Sequence, residues 1–284
     1  MAHETRLELA ASSITSKDVN EDAYQCWQGS TMHAVIIADG IGSSLDAHLA
    51  SALVVQRCVE HLQHLEHSGS PVDFQAIHGL WSEVALALRD QYDRERAVYQ
   101  QAPKEVLSTT MAVVLELPTS YMISSLGNGS ILQVRGNFWE FWGRRQWPWC
   151  VTELMIGDTF LNEGGQETLE GFLSPEGVRG HVHIMQVEKN PRYGELFILC
   201  SDGVHSPDHL HLGQDRTHTL WLEVNPHLIA LLNTALRDYF EERTSLQAMV
   251  QDFLATRTFD DDATLGLLVS SQARTYFREH QDML

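Results

Sequence analysis

His33-Ala-Val-Ile-Ile-Ala-Asp-Gly-Ile-Gly-Ser-Ser44 runs from an unbroken apolar stretch into one acid, two glycines and two hydroxyl residues. Val35, Ile36 and Ile37 are β-branched and consecutive, which favours a strand packed on both faces. The strand delivers Asp39 to its tip, where the backbone turns. An isolated Asp-Gly is most simply a turn. Here the pattern repeats. Glu195-Leu-Phe-Ile-Leu-Cys200 ends in Ser201-Asp202-Gly203, and Phe259-Asp-Asp-Asp-Ala-Thr264 leads into the apolar Leu265-Gly-Leu-Leu-Val269. With Asn20-Glu21-Asp22 upstream, four acidic sites stand at predicted strand edges. Carboxylates gathered in this way repel one another unless a cation lies among them. Oxygen donors without Cys or His spacing select hard divalent ions such as Mg²⁺ or Mn²⁺.

Taken in order, Asn20-Glu-Asp22, Ala38-Asp-Gly-Ile-Gly-Ser43, Ser108-Thr-Thr110, Gly127-Asn-Gly129, Cys200-Ser-Asp-Gly203 and Asp261-Asp-Ala-Thr264 resemble the metal-dependent PPM-type (type 2C) protein serine/threonine phosphatases. The Gly-Ser after the first Asp-Gly and the central Gly-X-Gly are most similar to the bacterial branch. The resemblance spans roughly residues 10 to 270. It implies an α+β fold, a four-layer α-β-β-α sandwich of two antiparallel sheets with a binuclear metal site at one end.

The resemblance also implies roles. Asp39 bridges two Mn²⁺ or Mg²⁺ ions, Asp202 and Asp261 complete one of them, and Gly40 offers its carbonyl to the other. Asp22 acts through water, with Glu21 a secondary candidate. Lys17 stands where relatives carry an arginine that grips the substrate phosphate. Asn128 replaces the aspartate of an additional metal site, so that third site is expected to be degraded. Ile41 stands where eukaryotic relatives place a histidine as general acid. The expected activity is hydrolysis of phosphoserine and phosphothreonine in proteins by a metal-activated water, reversing a bacterial serine/threonine kinase. The alternative is a non-catalytic relative that binds phosphopeptides or acts as a scaffold. A calcium protein is disfavoured, because no Asp-x-Asp-x-Asp-Gly loop with its distal Glu is present.

Composition sets the outer limits. The chain has 284 residues and no Pro/Ser/Gly-rich linker or repeat, and its acids come from both ends, so the expectation is one domain over 1–270 with a charged tail over 271–284. Lys and Arg number 19 against 38 Asp and Glu, a formal charge of −19 that disfavours nucleic acid and anionic membranes as partners. The four cysteines, Cys26, Cys58, Cys150 and Cys200, are widely spaced and read as reduced thiols. The N-terminus is charged at once, and no segment approaches ~20 apolar residues, so a cytoplasmic protein is expected. The 15 histidines, His61/His64 and His181/His183 included, lack the companions of a zinc site.

Local patterns place the elements. Strands are expected at 6–14, from Tyr24 to Trp27, and through the Asp39 stretch. Ser43 or Ser44 can cap a helix running to about His64. Pro71 opens a second helix with apolar residues from Ile77 to Tyr92 at helical spacing. Met111–Leu117, Tyr121–Leu126 and Ile131–Arg135 read as a β-meander, with Asn128-Gly129 as a tight hairpin turn. The Trp-rich segment 137–180 reads either as a flap beside the site or as aromatic cover on a sheet edge. Strands at His181–Val187 and Glu195–Cys200, helices from Pro226 and near Leu246–Leu254, and a last strand from Asp261 complete the chain.

Overall fold

The computed structural model describes residues 7–102, 105–135, 150–155, 159–161, 167–205, 211–214, 220–223 and 225–279. Two five-stranded antiparallel sheets form its centre. The first has the order β1 (Glu8–Ile14), β16 (Ala263–Val269), β13 (Leu196–Cys200), β6 (Ser130–Arg135) and β7 (Cys150–Glu153). The second has the order β12 (His183–Glu188), β5 (Ser120–Leu126), β4 (Met111–Glu116), β3 (His33–Asp39) and β2 (Asp22–Gln28). Three two-stranded hairpins complete the strands: β8 (Thr159–Leu161) with β9 (Glu167–Leu169), β10 (Phe172–Ser174) with β11 (Gly177–Arg179), and β14 (His211–Gln214) with β15 (Leu220–Glu223).

Side-chain alternation explains the layers. On β3, Val35 and Ile37 join Ile123, Phe197, Leu199 and Leu268 between the sheets. Ala34, Ile36 and Ala38 point the other way, onto α1 (Ala47–Ser68) and α2 (Phe74–Arg94). On β13, Leu196, Ile198 and Cys200 meet the C-terminal helices, where Phe240, Val250 and Phe253 pack. Strands covered on both faces carry no polar alternation, because each face is removed from water by a different layer. The four-layer sandwich read from the sequence is therefore the fold observed.

Several local expectations are corrected. Ser43 and Ser44 do not cap α1; Asp46 precedes it, with φ 56° and no side-chain capping bond. Ser44 Oγ instead accepts a hydrogen bond from Ser108 N at 3.0 Å, tying the Asp39 loop to β4's approach. Asp46 accepts from Tyr99 OH at 2.9 Å. The second helix begins after Asp73, whose carboxylate accepts from Ala76 N at 2.9 Å, rather than at Pro71.

The meander is the larger correction. β4 and β5 pair as expected, but β6 crosses to the opposite sheet and pairs with β13 and β7. Gly127-Asn-Gly129 is thus a corner between sheets. Gly127 has φ +120°, and a Cβ on Gly129 would lie 2.8 Å from Cys200 O, so the two glycines answer to a crossing backbone rather than to a hairpin. β12 and β13 likewise fall in different sheets.

The helix from Pro226 runs through Ala230, a π-helical turn over Leu231–Ala235, and Leu236–Phe240; another spans Leu246–Ala255. Within 271–284, a helix over Ser271–Glu279 buries Ala273 and Phe277 against the first sheet's outer core. Cys58 and Cys200 are buried free thiols and Cys26 is half-buried. The expected flap falls largely on 136–149, 156–158 and 162–166, which, with Trp139, Trp142, Trp147 and Trp149, lie outside the described residues. Among the described residues no helix is long and apolar enough to cross a membrane.

Candidate metal centre

Register decides what the acids do. In the β2–β3 ladder Asp22 stands directly opposite Asp39. Like charges placed across a strand pair are destabilising, so this position is unfavourable to the fold on its own. Asp39 is also backed by the far sheet, where the turn after β13 carries Asp202. Val204 N and His205 N donate to Ser201 O at 3.0 and 3.1 Å, closing that turn and presenting Asp202 toward β3.

The backbone of Asp39 is fixed on three sides. Its carbonyl accepts from Thr110 N and Thr109 Oγ1, both at 2.8 Å, and its amide donates to Thr110 Oγ1 at 3.3 Å. Its carboxyl is held well above the usual carboxylate range, first by burial and then by the charges of Asp22 and Asp202 beside it. Asp22 is only 8 % exposed, and burial pushes its carboxyl up to about 6. Neither Asp22 oxygen has a hydrogen-bond partner. Of the nearby hydroxyls, Ser201 Oγ donates to Asp262 O at 3.4 Å and Thr264 Oγ1 to Ser13 Oγ at 2.7 Å, and their proximity, with that of the Asp39 carboxyl, offsets only part of the effect of burial on Asp22.

A cleft of about 130 Å³ opens over these groups. Asp39, Gly40, Asp202, Asp261, Asn128 and Lys17 line it, so all but two of the residues expected at the site share one cavity. Asp22 lies beneath, opposite Asp39, and Glu21 sits at the side, paired with Lys17 at 3.2 Å. Asp261 is paired with a cation of the chain itself: its Oδ1 is 2.5 Å from Lys17 Nζ. Burial works against the Lys17 charge, but hydrogen bonds to Asp261 and Glu21 outweigh it and raise its pKa. Lys17, expected to face the substrate phosphate, is held by carboxylates. Asn128 Nδ2 donates to Asp202 Oδ2 at 2.7 Å.

Among the described residues no three Asp, Glu, His or Cys side chains converge on a single point as a finished ion shell. The donor chemistry nevertheless fits a divalent cation. Two buried oxygens of Asp22 lack donors, and Asp39 is flanked by two carboxylates that oppose its ionisation. A cation among them removes both penalties.

Asp262 escaped the sequence reading. It is 2 % exposed and accepts from Thr15 Oγ1 and, at 2.8 Å, from Glu21 N, while Lys17 Nζ stands 3.6 Å away. It pins the loop bearing Lys17, Glu21 and Asp22 to the β16 strand. The run Asp260-Asp-Asp262 gives no local sign of which acid is buried; only the contact across more than 240 residues does.

Comparisons with known proteins bear on this arrangement. A family described as "Protein phosphatase 2C" matches residues 10–255. No curated protein sequence matches the chain. Among solved structures, the S. agalactiae serine/threonine phosphatase is 12% identical with a TM-score of 0.59, covering 93% of this chain and 99% of that one. Mycobacterium tuberculosis PstP/Ppp is 16% identical with a TM-score of 0.56, covering 93% and 98%. A PstP catalytic domain in complex with two manganese ions is 16% identical with a TM-score of 0.56, covering 93% and 97%.

Proposed function

The chain belongs to the protein phosphatase 2C family, and from that premise we propose that it hydrolyses phosphoserine and phosphothreonine in proteins, with Mn²⁺ or Mg²⁺ held by Asp39, Asp202 and Asp261. The observation that carries this reading is the Asp22–Asp39 pair, a buried acid with both oxygens orphaned directly opposite a half-buried acid that lines the cleft. Two such ions, when bound, acidify a shared water and offset negative charge on a phosphate. The chain's own groups do the rest. Thr109 and Thr110 fix the Asp39 backbone, Asp22 supports the floor from beneath, and Ile41 leaves leaving-group protonation to water. Among the described residues the cleft lining holds no Cys or Ser, and attack by water needs no phosphoenzyme. The substrate is a phosphoprotein, the counterpart enzyme a serine/threonine kinase, and the setting cytoplasmic.

The test is phosphate release from a panel of phosphothreonine and phosphoserine peptides. Release with added Mn²⁺ and none in chelator supports the reading; a chain inert toward every peptide at saturating Mn²⁺ removes it. A non-catalytic reading draws on the Lys17–Asp261 pair and on Asn128. Retention of Asp39, Asp202 and Asp261 argues against it.

Lys17 gives a second expectation. For it to meet a phosphate, its ammonium must leave Asp261, and lysine then binds as a point charge without a guanidinium fork. Lys17→Ala is expected to raise KM for a phosphopeptide about fivefold to tenfold with a smaller change in kcat, and Lys17→Arg to be tolerated or better. Steady-state kinetics check this; unchanged constants for Lys17→Ala make Lys17 a purely structural partner of Asp261.

Asn128 gives a third. As an amide it bonds Asp202; as a carboxylate it repels it. Asn128→Asp should lower Tm in chelator, gain more Tm than the parent on adding millimolar Mn²⁺, and raise kcat under the same conditions. Equal Mn²⁺-induced shifts in the two proteins contradict the degraded third site.

A further inference from the structure

A second cavity, about 550 Å³, lies between α2 and the β10–β11 hairpin, with Ser108 in its lining. Its chemistry departs from the rest of the surface. Arg89, Arg96 and Arg179 line it against Asp93, Glu105 and Glu176, so bases equal acids here, whereas acids outnumber bases 38 to 19 in the chain. Arg179 accounts for two of the acids, pairing with Glu105 at 3.1 Å and Glu176 at 2.7 Å. It also lies 5.2 Å above the Phe172 ring. Arg89 bonds only backbone carbonyls, Pro175 O at 2.9 Å and Glu176 O at 3.4 Å, and among the described residues has no carboxylate partner. Arg96 is 62% exposed on its side chain and 3.7 Å from Asp93, a weak pair at that exposure. Tyr92 and Tyr99 stack beside them with centroids 5.7 Å apart, offering a flat aromatic wall.

The groove and the catalytic cleft share a wall. Ile41, in the cleft, donates its N–H to Ser108 O at 3.0 Å. Thr109 and Leu173 exchange backbone bonds at 3.0 and 2.8 Å, so one bridged strip of backbone separates the two spaces. An extended peptide advances about 3.3 Å per residue, so a chain with its phosphorylated residue over Asp39 crosses this strip within a few residues.

We propose that the groove receives an acidic segment flanking the phosphorylated residue of the protein substrate, with Arg89 and Arg96 meeting its carboxylates. This rests on the phosphatase reading and adds a sequence preference to it. The test compares the parent with Arg96→Glu, an exposed change outside the lining of the cleft, and with Tyr92→Ala. Substrates are p-nitrophenyl phosphate, a phosphothreonine peptide with flanking Gly-Ser, and two with an acidic run on one side or the other. One acidic peptide should be the best substrate of the parent, and Arg96→Glu should lower its kcat/KM about fivefold to tenfold through KM, an effect that fades at high salt. Turnover of p-nitrophenyl phosphate and the Gly-Ser peptide should not change. Equal handling of acidic and Gly-Ser peptides by the parent, or of the acidic peptides by parent and Arg96→Glu, overturns the proposal. If the parent releases phosphate from none of these substrates at saturating Mn²⁺, it is the phosphatase reading that falls. Fluorescence anisotropy with the unphosphorylated acidic peptides then decides the groove alone: binding weakened by Arg96→Glu and by Tyr92→Ala upholds it, and binding that is absent or unaltered by Arg96→Glu rejects it.

Discussion

Asp39→Asn is expected to lower kcat toward a phosphopeptide by at least about 10³-fold, the equivalent of ~4 kcal/mol of transition-state stabilisation, without loss of folding. The two halves have separate causes. The Asp39 backbone is seated by hydrogen bonds with Thr109 and Thr110, and an asparagine keeps them. Its side chain faces Asp22 and Asp202, which oppose its charge. A neutral amide of the same shape removes that repulsion, so Tm in chelator should equal or exceed the parent's. A divalent ion, by contrast, is held largely by carboxylate charge, and an amide forfeits it. A variant that is more stable and nearly inactive marks a site whose charge serves chemistry at the expense of stability. A variant that is folded and fully active removes Asp39 from the mechanism.

Gly203→Ala is expected to cost about 2–4 kcal/mol of stability, lowering Tm by roughly 5–10 °C for a chain of this size, and to abolish most activity. A Cβ at Gly203 would lie 2.0 Å from Asp262 O and 3.0 Å from Asp262 C. Both are backbone atoms of the strip that carries Asp261, and that strip is fixed by Ser201 N to Thr264 O at 3.0 Å. Neither side can yield without parting Asp202 from Asp261. Differential scanning calorimetry and turnover on the same sample check the two effects; an unshifted Tm means the turn and the strip separate freely.

What the sequence made legible follows from locality. The Asp39 and Asp202 strands were readable because each run is buried on both faces and stops at a glycine. α1 and α2 were readable because their apolar faces meet one sheet at helical spacing, although their starts were misplaced: Ser44 bonds Ser108 across the loop instead of capping. What stayed hidden is non-local. Asn128-Gly129 has the composition of a hairpin turn, and only the pairing of β6 with β13 shows that it turns a corner between sheets. The facing of Asp22 and Asp39 is a matter of register between strands, and a shift of one residue would reverse it. Asp262 looks like its two neighbours until Thr15 and Glu21 are seen to bond it. Lys17 occupies the expected position in the chain, yet its charge is spent on Asp261 and Glu21.

Titration calorimetry of Mn²⁺ into the chelator-stripped protein tests the metal-centre claim most directly, because it reads the ions without reference to turnover. The expected result is two bound ions in the parent and loss of at least one in Asp39→Asn, with Asn128 leaving no tight third site. Identical Mn²⁺ isotherms for the parent and Asp39→Asn, or no binding to the parent, would contradict a centre built on Asp39.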